Sequence, residues 1–165
     1  MGSTSILLRI AAAPISYLRY LTETLLAYGS LLVVQNIVVV VLGSLLYGTL
    51  LGAPLLQLFA FAGFSFASIS FCLAGFSLFG RRDTAYGIIA TVLILLSMIG
   101  GFYWPVEMMP EFLQKVALIT PPYWLIQALT GLQLGDSPLR LVLSMTIMVL
   151  FTMAFLLVGS RRPME

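Results

Sequence analysis

The chain has 165 residues, 61% of them hydrophobic and only 8% charged, with 8 Lys and Arg, 6 Asp and Glu, and no His. Soluble domains carry about 25% charged and about 45–50% apolar residues, so a water-soluble globular fold is excluded and an integral membrane protein remains. Without His there is no imidazole base and no His metal ligand. A lone Cys72 forms no intrachain disulfide, and a net charge of +2 is too small and scattered for a nucleic-acid face.

Residues 1–21 come first. Drawn as a helix from Ser5, this segment gathers Arg9, Ser16, Arg19 and Glu23 on one narrow arc, away from Ile6, Ile10, Ala13 and Tyr17. Such a pattern suits a helix lying along the membrane interface, divided or kinked at Pro14. The plainer reading is a solvated lead-in whose arginines only set topology. A cleaved signal peptide is disfavoured despite Ala11-Ala12-Ala13, because no basic residue precedes the apolar stretch and Arg9 interrupts it.

No charge falls between Glu23 and Arg81, a stretch more than twice the ~20 residues that cross a bilayer once. Gly52-Ala53-Pro54 breaks it, predicting spans over residues 24–51 and 55–80. Gln35 and Asn36 lie near the middle of the first, where their amides need partners. They line a translocation path or a helix contact across a dimer, or make an ordinary interhelical hydrogen bond. In the second span Gly63 with Ala67, and Ser70 with Ala74, are small pairs that permit close helix approach. The phenylalanines around them read as packing or lipid-facing surface, and Cys72 as a small buried hydrophobe.

Arg81-Arg82-Asp83 must sit outside the hydrocarbon, because each such residue costs about 2.5–3.5 kcal/mol at a helix centre. A third span is predicted over residues 84–101 and a fourth over residues 139–160. The fourth is introduced by Asp136-Ser137-Pro138, a capping side chain just before a proline already set to a helical φ. With the N-terminus inside, six basic residues fall on the cytoplasmic side and only Lys115 and Arg140 on the outer side. That balance satisfies the positive-inside rule and places both termini in the cytoplasm.

Residues 102–134 form an outer cap. Phe102-Tyr103-Trp104 suits the interfacial aromatic belt. Pro105 stops the helix, and from Pro110 an amphipathic pattern sets Met109, Phe112, Leu113, Val116 and Ala117 against Glu111, Gln114 and Lys115. After Thr120-Pro121-Pro122, the apolar run of residues 123–134 is too short to cross. Two short helices dipping partway into the membrane are expected. The fold class is therefore an all-α polytopic membrane protein. It has four transmembrane helices, an N-terminal interfacial helix, and an outer pair of short re-entrant helices before the last span.

No phosphate loop, nucleophile elbow or paired intramembrane carboxylates are present. All six acids lie outside the spans or at their ends, which disfavours a proton relay. If the chain moves anything uphill, the energy enters through another polypeptide.

The run from Gly100-Gly101-Phe102-Tyr103-Trp104-Pro105 through Pro110-Glu111-Phe112-Leu113-Gln114, followed by Thr120-Pro121-Pro122-Tyr123-Trp124, resembles one family pattern. It is similar to the end of the fifth span and the outer re-entrant helices of type-two ABC exporter permeases. Arg9-Ile10-Ala11-Ala12-Ala13-Pro14-Ile15-Ser16 resembles the same family's cytoplasmic segment before the third span. The likeness covers nearly the whole chain as a C-terminal portion, lacking the first two spans of the family pattern.

The resemblance implies a permease dimer in the plasma or inner membrane, driven by a separate ABC ATPase that holds ATP and Mg, with no cofactor in this chain. It implies an ATPase-coupling contact at Arg9, Pro14 and Ser16, path candidates Gln35 and Asn36, and an outer gate at Trp104, Pro105, Pro110 and Pro121. The cargo implied is amphiphilic, of drug, lipid or glycan type, as in multidrug efflux. A rival reading is a non-transporting membrane scaffold or regulatory subunit. An intramembrane enzyme, lacking any nucleophile–base or metal set, stands further off.

Overall fold

A computed structural model describes residues 17–48, 53–79, 82–135 and 138–160. Among these, all regular structure is helical. The helices are α1 (Tyr17–Tyr47), α2 (Pro54–Phe79), α3 (Arg82–Ile99), α4 (Glu111–Ala117), α5 (Pro121–Leu134) and α6 (Pro138–Ser160), with a 3₁₀ turn at Val106–Met108. Three helical segments are long and apolar enough to cross a membrane: Thr22–Tyr47 of α1, Pro54–Phe79 of α2, and Pro138–Ser160, the whole of α6.

α1 is one continuous rod of 31 residues, roughly 46 Å at 1.5 Å per residue. It runs without a break through residues 17–23, where the sequence suggested a change from interfacial segment to span. Near its start Arg19 Nε donates to Glu23 Oε1 at 2.8 Å, an exposed pair one helical turn apart. Its far end comes earlier than the Gly52-Ala53-Pro54 break suggested, because Gly48 takes a left-handed φ of 60° directly after Tyr47.

α2 is the central helix, packed on α1, α3, α5 and α6. Its main contact, with α6, is a seam of small residues. Ala60, Gly63, Ala67, Ser70, Ala74 and Ser77 recur at alternating steps of three and four, and all but Gly63 are buried. In lipid no hydrophobic force draws helices together, so close van der Waals contact and interhelical hydrogen bonds must hold them. Here Gly63 lies under Met145 and Met148, Phe71 meets Phe155 edge-on at 5.2 Å, and Ser77 Oγ donates to Gly159 O at 2.7 Å. These pairs advance in step along both helices, so α2 and α6 run parallel. α1 runs the other way, with Asn36 beside Ser65 and Gly29 beneath the Phe66 ring.

α3 is shorter. Its 18 residues include Arg82 and Asp83, leaving the apolar stretch Ala85–Ile99, roughly 22 Å of helix. It lies antiparallel to α2, with Ile89 against Gly75 and Tyr86 against Phe76. It ends on a left-handed glycine cap. Gly101 has a φ of 98°, its N–H donates to Met98 O, and the Phe102 N–H donates to Ser97 O at 3.1 Å. Phe102 then meets Phe64, ten residues into α2, or about 15 Å from the start of that helix. From there to Gly135 the chain folds against α3 and the N-terminal halves of α2 and α6.

Candidate functional site

The cap is built by proline and held by hydrogen bonds from side chains to backbone. Pro105 precedes the 3₁₀ turn, Pro110 precedes α4, and Pro121 opens α5 at a position where a proline loses no helical bond. Gln114, expected on the solvent face of α4, turns back instead. Its Nε2 donates to Met109 O at 2.8 Å and Glu107 O at 3.4 Å, tying the turn to the helix. Thr120 Oγ1 donates to Ala117 O at 2.7 Å, and the Trp124 indole donates to Leu118 O at 2.8 Å. Carbonyls at the two short helix ends are thereby satisfied, as non-helical backbone near lipid requires.

Val106, Met109 and Ala117 form a small core under the cap, with Ile99, Leu113 and Tyr123 against it. The amphipathic stripe read from the sequence holds for Met109, Leu113, Val116 and Ala117 but fails at Phe112, which is 72% exposed. α4 has only seven residues, less than two full turns past Pro110, so it cannot bury five positions of a stripe at once. Phe112 faces outward with Met108, Trp104 and Ile119, all exposed.

On the polar side, an open cleft of about 290 Å³ is lined by Glu107, Glu111, Gln114, Lys115 and Tyr123. Lys115 Nζ lies 3.6 Å from Glu111 Oε1, with both side chains exposed. Burial first, and the Glu107 carboxylate second, push the Tyr123 phenol up, against a lowering by Arg140.

A second cleft, of about 210 Å³, lies between α1, α2 and α5. Gln57, only 5% exposed, and Gln133 contribute amides, Tyr47 a phenol, and Val40, Gly43 and Leu129 apolar wall. Sequence reading passed over Gln57 and Gln133. A glutamine one turn after Pro54, inside an otherwise apolar helix, was the available signal for the first. Gln133 carries none, because only the fold brings α5 to α1.

The site residues named from the sequence separate into three places. Arg9, Pro14 and Ser16 lie outside the described residues. Gln35 and Asn36 are adjacent in α1 but point apart. Gln35 is exposed, whereas the Asn36 amide donates to Ser65 Oγ at 3.0 Å, and that hydroxyl donates to Phe61 O. Trp104, Pro105 and Pro110 are exposed in the cap, and Pro121 is buried at its base. At that base, a methyl group on Gly100 would lie 2.5 Å from Pro122 Cβ and 3.0 Å from the Tyr123 backbone nitrogen. No group of three or more Cys, Asp or Glu side chains able to hold a metal occurs among the described residues.

Compared with known proteins, residues 3–161 match a family model described as ABC-2 family transporter protein. No curated protein and no solved structure matches the chain.

Proposed function

The chain belongs to the ABC-2 transporter family, and we propose that it is the permease of an ATP-driven exporter, moving an amphiphilic substrate of drug, lipid or glycan type out of the cytoplasm. Membership makes it a multi-pass membrane component of an ABC transporter, a transport subunit rather than an enzyme by itself, with an ABC ATPase as partner.

The observation that carries the exporter reading is the cap. A glycine-terminated α3 hands over to proline-bounded α4 and α5, seated against the N-terminal halves of α2 and α6. In this reading α3 is a fourth crossing that stops short, and α4 and α5 are re-entrant pieces closing the outer end of the path. Trp104, Pro105, Pro110 and Pro121 shape that closure. Three of the prolines start a new element, so the cap moves as short rigid pieces joined at fixed corners. Arg9, Pro14 and Ser16 receive the push of the ATPase on the cytoplasmic side. Gln35 is the path contact, presented on the outside of α1. Asn36, through Ser65, holds α1 against α2 so that the two move together. Two permeases pair to enclose the path, and both termini are cytoplasmic.

The test is co-purification of the protein with an ABC ATPase subunit, followed by ATP-driven efflux of an amphiphilic dye from inverted vesicles. Stable association and ATP-dependent dye movement are expected. A permease that neither binds an ATPase nor moves dye overturns the reading.

A further inference from the structure

The cleft between α1, α2 and α5 is graded in polarity along the helix axes. Gln57 is the fourth residue of α2, about 5 Å from its start, and Tyr47 is the last residue of α1. With Gln133 they place two amides and a phenol at the membrane-boundary end of the cleft. Val40 lies seven residues deeper in α1, roughly 10 Å, and with Gly43 and Leu129 makes the inner part apolar. Among the described residues, no charged side chain lines it. The cleft under the cap, by contrast, holds two carboxylates and a lysine. At about 210 Å³ the cleft between α1, α2 and α5 is smaller than the ~300–1,000 Å³ of sites that enclose a drug-sized molecule, so it takes one end of a longer one. Its wall continues into the exposed apolar face of α1 at Val38, Val39 and Leu42.

We infer that this cleft binds an uncharged amphiphile from the bilayer, its hydroxyl- or amide-bearing head held by Gln57, Gln133 and Tyr47 and its first methylenes along Val40 and Leu129. The match is one of chemistry and depth. Amides and a phenol offer both donors and acceptors to a neutral head. They offer no counter-charge to an ionised one, whose dehydration they would leave uncompensated. The site belongs to one copy of the chain and does not depend on coupling to an ATPase.

The test is photolabelling of the protein in phosphatidylcholine nanodiscs with two probes of identical diazirine-bearing chains, a diacylglycerol and a phosphatidic acid. Diacylglycerol adducts are expected on residues 39–47 and 129–133, with phosphatidic acid about fivefold weaker there, the factor that one neutral hydrogen bond is worth. Gly43→Phe, which fills the cleft, abolishes these adducts. Gln133→Leu, at an exposed position that tolerates change, lowers diacylglycerol labelling to the phosphatidic acid level. Labelling of residues 149–158 on the exposed face of α6 stays constant in every variant and reports insertion. Equal labelling by the two probes, or cleft adducts that survive Gly43→Phe, overturns the inference. So does a Val39→Cys variant that forms a disulfide between two copies, because a second chain then covers the cleft.

Discussion

The α2–α6 seam and the cap solve the same problem in opposite ways. Both must hold helices together where burial of apolar surface offers little gain. The seam does so by removing side chains, with small residues at each turn of α2, and is joined by a hydrogen bond from Ser77 to Gly159. The cap does so by adding polar ties from Gln114, Thr120 and Trp124 to backbone carbonyls, and it leaves Phe112, Met108 and Ile119 outside. The seam is therefore continuous and intolerant of volume. The cap is a set of short elements, each tied by its own side-chain hydrogen bonds to backbone carbonyls.

Substitutions sharpen the contrast, beginning with the largest effect. Ala67→Phe inserts a ring where the wild-type side chain is fully buried, and is expected to cost about 3 kcal/mol by overpacking. Denaturant unfolding in mixed micelles should show one shifted global transition. Gly100→Val pushes a side chain into Pro122 and the Tyr123 backbone, at a cost of about 2 kcal/mol. That change should loosen the cap alone, seen as faster proteolysis within residues 102–134 with the global transition unmoved. A global shift as large as that of Ala67→Phe would erase the distinction between the two regions. Ser77→Ala should cost about 0.6 kcal/mol, the usual worth of a hydrogen bond between membrane helices, read from the same unfolding curve. Lys115→Ala removes an exposed pair one turn apart and should change stability by less than about 0.5 kcal/mol, with a difference that vanishes in high salt.

Much of this contrast was readable in the chain. Gly63, Ala67, Ser70 and Ala74 announced the seam, because lipid leaves small size as the main route to close approach. Ala60 and Ser77 extend the same spacing by one position at each end. Pro110 and Pro138 mark helix starts as read, because a proline ring fixes φ wherever it occurs, whereas Pro121, read as a break before residue 123, itself opens α5. Gly100-Gly101 ends α3 for the equally local reason of a left-handed φ. What failed to show was tertiary. Phe112 fits an amphipathic stripe by spacing, yet a helix of seven residues has too little surface to bury it. Gln114 read as solvated because its acceptors, Met109 O and Glu107 O, are reached only when the turn folds back. Asn36 and Gln35 were indistinguishable by composition, and only the position of Ser65 separates the amide that holds helices together from the one left facing outward. The cleft at Gln57 and Gln133 draws on three helices distant in sequence, and no local pattern encodes it.

The account rests on α1 crossing the bilayer with the cap at its far end. In a Cys72→Ala background, Glu23→Cys at the start of α1 and Lys115→Cys in α4 should react with a membrane-impermeant maleimide from opposite faces of sealed vesicles. Labelling of both from the same face would contradict it.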